Sequence, residues 1–410
     1  MSDATAARRA PERRRQAGEA EVHGDCDEGF GAVADEFARN FRERGEVGAA
    51  CAVYRDGRKV VDLWGGLANA RHKLPWEEDT LVMMYSTTKG VSATVLAVAH
   101  TRGLLDYDAP VARYWPEFAQ HGKAEITVRQ LLAHQSGLPA IAARLDPRVI
   151  GDRERLAATL AAERPAWKPG TRHGYHMLSL GWYEGELLRR VDPEGRTLGR
   201  FFHEEVAAPL GLEFYIGLPR DIPERRVARL ESFSYAQLLR ADTIPRRMLG
   251  ALAWPTSLTA RTVLNPRLRR AADLGMPDYR VLELPAAGGI GQVRSVARLY
   301  ADLATGGHAL GLGEPTLTEL TAPPRPPAQG TFDMVLKAHS AYALGYIRPG
   351  PRHRFGSSER AFGHPGAGGS FAFADPDARL AFAYAPNKLG FHLVDDPREL
   401  ALRAAVYRAL

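Results

Sequence analysis

The chain has 410 residues, 45% hydrophobic and 25% charged, with a formal net charge of +6 and a pI near 9.3. Those proportions exclude wholesale disorder and leave room for one large core or two closely packed ones. Seven of the 54 basic residues are lysines; the arginines are spread along the chain with no stripe of interleaved aromatics, which argues against a nucleic-acid partner and fits GC-rich bacterial coding.

Residues 1–27 carry arginines but no apolar run, so a disordered arm is expected there and a signal peptide is not. No apolar run approaches a membrane span, and the expected location is the cytoplasm with no membrane partner. Cys26 and Cys51 lack metal-ligand spacing and read as free thiols. Residues 30–44 have apolar positions at helical spacing and stop at Gly45. GAACAVYRDGRKVVDLWGGLA then reads as two strands joined at Asp56-Gly57. After a polar loop, Ser86 precedes a long helix of small and apolar residues that ends near Arg102-Gly103.

Between 104 and 282 helical patterns dominate (ITVRQLLAH, RERLAATLAAE, LSLGWYEGELLRRV), broken by Pro and Gly loops. Beyond Pro285 come a glycine cluster (Gly288, Gly289, Gly291) and the helix SVARLYADLATGG. Three strand-like runs follow, SAYALGYIR, GSFAFADP and RLAFAYAP, and DPRELALRAAVYRAL closes the chain as a helix. Strands at both ends around a helical middle point to an α+β fold. Its antiparallel sheet would be built from 28–105 and 283–410, with 106–282 as a mainly helical domain.

Ser86-Thr87-Thr88-Lys89 places a lysine three residues after a serine at a helix start. With 13 serines and seven lysines, chance gives about 0.2 such matches in a chain of this length. One reading is an N-cap serine beside a solvated lysine. The other is a nucleophile. At a helix N-terminus the hydroxyl lies near free backbone N–H groups and the positive dipole end, and a lysine one turn on shares its face. GVSATVLAVAH is nearly uncharged, as in a helix buried all round, and burial disfavours the ammonium form, leaving an amine that can act as a base.

With its flanks VDLWGGLA, DTLVMMYSTTKG, YWPEF and ITVRQLLAHQSGLPA, this motif resembles the serine β-lactamase and penicillin-binding-protein superfamily. Within it the chain is most similar to the class C β-lactamase-like esterases, the family VIII carboxylesterases, from about residue 30 to the C-terminus. The resemblance implies a β-lactamase/transpeptidase-like fold with the site between sheet and helical domain, no cofactor and no metal. It implies Ser86 as nucleophile, Lys89 as its partner, and Tyr175 of Tyr175-His176-Met177 as proton carrier, with Lys89 favouring the phenolate. Met177 stands where the family's second motif has asparagine, and it cannot bind a substrate amide. His364-Pro365-Gly366 stands where the third motif has Lys-Thr-Gly, so a fixed positive charge is lost. Ala367 would give the second oxyanion N–H beside that of Ser86, with His364, Gly366, His176 and Met177 on the substrate side.

Other motifs fail. Gly-x-Ser-x-Gly is absent, and His203-Glu204-Glu205 is followed by Ala207 where a zinc site needs histidine. His134 reads as a structural histidine bonding helix-end carbonyls, and the arginine-rich stretch 244–270 as a solvated helix face, an acyl-pocket wall or an anionic docking site. The resemblance implies a carboxylesterase acting on a small-molecule ester, thioester or amide. The same residues suit a transacylase of natural-product biosynthesis, whereas the changes at Met177 and His364 argue against a true β-lactamase and the presence of Ser86, Lys89 and Tyr175 against a catalytically inactive binding homologue. Oligomeric state is not legible in the sequence.

Overall fold

The computed structural model describes residues 15–17, 20–233, 244–351 and 353–410. Its main sheet has ten strands, all antiparallel. From one edge the order is Arg15–Ala17, Ala20–Cys26, Arg58–Asn69, Gly48–Arg55, Leu380–Pro386, Phe371–Asp375, Phe362–Pro365, Tyr346–Ile347 and Tyr342–Ala343, with Leu74–Pro75 paired to Arg58–Asn69. The Asp56-Gly57 hairpin forms as read: both residues have positive φ, 50° and 75°, as a two-residue turn between twisted strands requires. The two ends of the chain meet where Gly48–Arg55 pairs along its length with Leu380–Pro386, Cys51 opposite Tyr384.

Alternation along these strands sorts side chains by size. Leu380, Phe382, Tyr384, Phe371 and Phe373 face one side and pack with Cys51, Val53 and the helices Gly31–Glu43 and Pro397–Arg408. Ala381, Ala383, Ala385, Ala372, Ala374 and Ala52 face the other. Against that alanine face lies the helix Val293–Ala304, which small side chains let approach closely. The helix Thr87–Thr101 is buried from Thr87 to Ala99, as its lack of charge predicts. It shares one continuous core with Val293–Ala304 and with Ser179–Val191 of the helical region.

Three expectations change. Within the arm expected over 1–27, Arg15–Ala17 and Ala20–Cys26 are paired strands, the second also paired with Arg58–Asn69, Val22 opposite Gly65; residues 1–14 and 18–19 lie outside the described residues. SAYALGYIR is two strands rather than one, since Leu344 and Gly345, at φ 49° and 86°, turn the chain between Ala343 and Tyr346. The helical middle also holds a strand, Phe214–Ile216, which pairs with Gly289–Gly291, itself paired with Val82–Met83. The glycine cluster serves this small sheet: a Cβ on Gly289 would overlap the Phe214 ring and the Thr88 hydroxyl. Neither cysteine is in a disulfide, and no helix among the described residues is long and apolar enough to cross a membrane.

Candidate active site

The strand Val82–Met83 delivers the chain to Ser86 and the helix Thr87–Thr101 through Tyr85, whose φ of 44° is a rare conformation for a bulky residue. The turn is held on several sides. Met84 N donates to Gly289 O at 2.9 Å, Gly289 N donates to Thr88 Oγ1 at 2.9 Å, and Tyr85 Oη donates to Ala271 O at 3.1 Å. Ser86 follows at the helix entrance, 8% exposed, and its side chain makes no capping bond. The hydroxyl instead lies 3.2 Å from Lys89 Nζ. A cap with a solvated lysine is thereby excluded, because Lys89 is fully buried.

Lys89 Nζ also donates to the carbonyl oxygens of Met177 at 2.6 Å and Ala286 at 2.9 Å. Burial lowers its pKa from 10.5 to about 7, partly opposed by the carboxylate of Glu184. A substantial fraction is therefore neutral amine near pH 7, one turn from the serine. Met177 takes part through its backbone, so a methionine can occupy the asparagine position without disturbing the lysine.

Tyr175 is 7% exposed and its phenol hydrogen-bonds Ser86. Lys89 Nζ sits 4.7 Å from the centre of its ring. The expected phenolate is corrected: burial pushes the phenol pKa up, the Ser86 hydrogen bond opposes that, and Asp333 adds to it. Tyr175 stands as a neutral phenol, and the titratable neighbour of Ser86 whose pKa falls near neutrality is Lys89. Aromatic neighbours fix the ring, with Tyr342 stacked at 6.1 Å, His364 stacked at 5.9 Å and His134 tilted at 5.1 Å. Tyr342 is itself anchored, its hydroxyl donating to Asp333 Oδ2 at 2.9 Å.

The remaining expected residues divide. His364 is buried at the end of Phe362–Pro365, its Nδ1 2.7 Å from Pro365 O. That contact makes Nδ1 the donor and leaves Nε2 as an acceptor without a partner among the described residues. Burial, then the Lys89 charge, holds its pKa well below 6.5, so it carries no positive charge. Gly366 sits where a Cβ would overlap the carbonyl of Met84 and the hydroxyl of Ser370. Its N–H donates to Ser370 O at 2.7 Å, and Ser370 Oγ donates to Met84 O at 2.8 Å, fastening this strand end to the turn that carries Ser86. Ala367 is exposed in the turn beyond.

His176 is not on the substrate side. It is fully buried, with Nε2 2.8 Å from Ser136 Oγ and Nδ1 2.8 Å from Gly174 O. His134 keeps a structural role by a different bond from the one expected: its Nδ1 accepts the peptide N–H of His176 at 3.1 Å, holding the backbone that follows Tyr175. The arginine-rich stretch is two-sided. Arg246, Arg247 and Arg261 are exposed, while Met248 packs in an apolar cluster with Tyr175, Val335, Leu336 and Tyr342.

Sequence reasoning missed Ala286, Asp333, Tyr342, Ser370, Glu184 and Arg398. Two had a signal: Glu184 lies at helical spacing with Leu180, Leu187 and Leu188, and Arg398 with Leu402, Ala405 and Val406, so each falls on an apolar face. Arg398 donates to Gly368 O at 3.1 Å, to Lys388 O at 2.8 Å and to Glu46 Oε1 at 3.1 Å, and is paired with Asp396 at 2.9 Å. It thereby supports the loop that carries Gly366 and Ala367.

Comparison with known proteins gives a consistent set. The family model described as Beta-lactamase matches residues 35–406. Esterase/beta-lactamase LipL of Mycobacterium tuberculosis (strain ATCC 25618 / H37Rv) is 34% identical over 369 residues, covering 90% of this chain and 83% of the relative. A crystal structure of a family VIII carboxylesterase superposes with a TM-score of 0.84 at 38% identity, covering 95% of this chain and 100% of that one. A penicillin-binding protein homologue from Caulobacter crescentus superposes with a TM-score of 0.81 at 35% identity, with coverages of 95% and 100%.

Proposed function

Because the chain belongs to the beta-lactamase family and has its β-lactamase/transpeptidase-like fold, we propose that this esterase/beta-lactamase-like enzyme is a carboxylesterase working through an acyl-enzyme on Ser86. The observation that carries the reading is the fully buried Lys89, its Nζ 3.2 Å from Ser86 Oγ. Neutral Lys89 takes the hydroxyl proton as Ser86 Oγ bonds to the ester carbonyl carbon. The backbone N–H groups of Ser86 and Ala367 hold the carbonyl oxygen as it gains charge. When the tetrahedral species collapses, the carbon–oxygen bond to the alcohol breaks. Tyr175 protonates the departing oxygen and recovers a proton from the Lys89 ammonium. Water then attacks the acyl-enzyme with the same groups acting in reverse, and a carboxylic acid leaves.

Neutral His364 offers no counter-charge to a carboxylate such as a β-lactam carries, which favours esters over β-lactams. Transfer to an amine or alcohol would need only that the acceptor replace water in the second half-reaction. The test is hydrolysis of a short-chain p-nitrophenyl ester by wild type and Ser86→Ala. Loss of activity to the background rate is expected, and near-full activity of the variant contradicts the reading.

A further inference from the structure

The net charge of this chain is concentrated in one stretch. Residues 244–282 hold seven arginines against Asp273 and Asp278, a net +5, whereas the other 47 basic residues face 46 acidic ones. The stretch forms a thin layer: two short helices, Arg246–Leu252 and Leu258–Val263, a turn at Trp254 between them, and the chain that follows to Leu282. Its inner side is tied to the body of the protein. Met248 packs in the cluster with Tyr175, and Thr259 Oγ1 donates to Val335 O at 2.8 Å. Asn265 Nδ2 donates to Ile141 O at 2.9 Å, and Ala271 O accepts the Tyr85 hydroxyl at 3.1 Å.

The outer side carries the charge. Arg246, Arg247, Arg261, Arg267 and Arg270 are exposed, and none has an ion pair among the described residues, whereas Arg280 is paired with Glu224. Among these arginines stand the three most exposed large apolar side chains of the described residues, Trp254 at 68%, Met276 at 57% and Leu264 at 45%. Trp254 lies in a turn whose four residues, 253–256, are all exposed, closed by Ser257 N donating to Trp254 O at 2.9 Å. A groove of about 460 Å³ borders the same layer, walled by Pro139, Ala140, Pro165 and Leu258 and flanked by the exposed Arg164 and Arg261. Glu163 also lines it, its carboxylate accepting the Ala142 N–H at 2.7 Å. A single exposed arginine or leucine needs no explanation. Five unpaired cations pooled around three exposed apolar side chains do, because that surface gains from covering its apolar groups and selects an anionic cover.

We propose that this face docks the protein on an anionic lipid bilayer, with Trp254, Leu264 and Met276 entering the headgroup layer and the arginines facing lipid phosphates. The arrangement favours lipid over an acidic protein. Apolar and basic residues alternate along the stretch (Trp254, Arg261, Leu264, Arg267, Arg270, Met276), whereas a protein interface gathers its apolar groups into a core and keeps charge at the rim. A fluid headgroup layer accepts the interleaved pattern, since tryptophan and the arginine stems are apolar at one end and polar at the other. Such docking is peripheral and needs no membrane-spanning helix. It is independent of the chemistry proposed for Ser86, although Met248, on the inner side of the docked layer, packs beside Tyr175.

The test is co-sedimentation of the full chain with vesicles of phosphatidylcholine alone or mixed with phosphatidylglycerol. Binding to the mixed vesicles should be about tenfold tighter or more, and should weaken as salt is added. Arg246→Gln/Arg247→Gln should weaken it about thirtyfold, the effect of two arginines near a charged bilayer, and Trp254→Ala should weaken it as well. Arg360→Gln/Arg379→Gln removes the same charge from two exposed positions beside the main sheet and should bind like wild type. Melting temperatures show that each variant is folded, so the result does not depend on ester turnover. No binding to the mixed vesicles, or equal binding to both kinds, overturns the proposal. Equal losses in the two arginine pairs would mark attraction by net charge alone and overturn it. Capture by soluble polyglutamate with no vesicle binding would assign the face to an acidic protein and overturn it too.

Discussion

Lys89 Nζ stands 3.2 Å from Ser86 Oγ while the carbonyl oxygens of Met177 and Ala286, at 2.6 and 2.9 Å, take its other N–H bonds. The lysine is fully buried and held by two carbonyl oxygens, which cannot protonate it. The mechanism proposed above therefore turns on its protonation state.

Burial lowers the Lys89 pKa from 10.5 to about 7. Below that pH the ammonium dominates and cannot accept the Ser86 proton. Accordingly kcat/KM should fall about tenfold per pH unit on the acid side of a limb near pH 7, if one group controls it. The sign for stability is the converse of a salt-bridged lysine. Between pH 7 and 10.5 the unfolded chain binds more protons at this residue, so its contribution to stability rises with pH across that window. A pH–rate profile on a p-nitrophenyl ester checks the first statement. Urea titrations at both ends of the window, compared between wild type and Lys89→Met, check the second.

Tyr175 is a neutral phenol bonded to Ser86 and aligned by Tyr342 and His364. Tyr175→Phe keeps the ring and its packing and removes the phenol proposed to carry the proton. Its kcat should fall about 10²–10⁴-fold with little change in melting temperature. An equal loss in both would mark the tyrosine as packing alone.

Gly366 lies where added carbon meets Met84 O and Ser370 Oγ, the two groups that tie the strand end to the nucleophile turn. Gly366→Ala should therefore lower kcat at least tenfold, as the turn carrying Ala367 shifts by a fraction of an ångström. Unchanged kinetics in a folded variant would show that this strand end does not shape the site.

How far the sequence reveals the site depends on whether a residue's role is local. Ser86 and Lys89 are three positions apart on one helix, and the uncharged run after them announced burial. The hairpin at Asp56-Gly57 and the terminal helices are equally local. What escaped was set by partners distant in the chain. The Ala286 carbonyl reaches Lys89 only because the Gly289–Gly291 strand pairs with Val82–Met83. His176 turned inward because Ser136, far upstream, meets it. Family resemblance pointed to Tyr175 and favoured its phenolate, whereas burial raises the phenol pKa.

Arg398 illustrates the same point for stability. Its guanidinium is buried between Glu46, Asp396 and the carbonyls of Lys388 and Gly368. Arg398→Met would leave two carboxylates without their cation, and stability should fall by about 3–5 kcal/mol, read as the shift in urea midpoint at constant slope. A loss below about 1 kcal/mol would mean that the cluster contributes no more than a surface pair.

The account rests on a covalent bond between Ser86 and the acyl group. Intact-mass spectrometry after rapid acid quench, with an activated ester in excess, reads that bond directly. Wild type should gain the mass of one acyl group, located on the peptide containing Ser86, and Ser86→Ala should gain none. An acyl adduct on another residue, or ester turnover by Ser86→Ala at the wild-type rate, would contradict it.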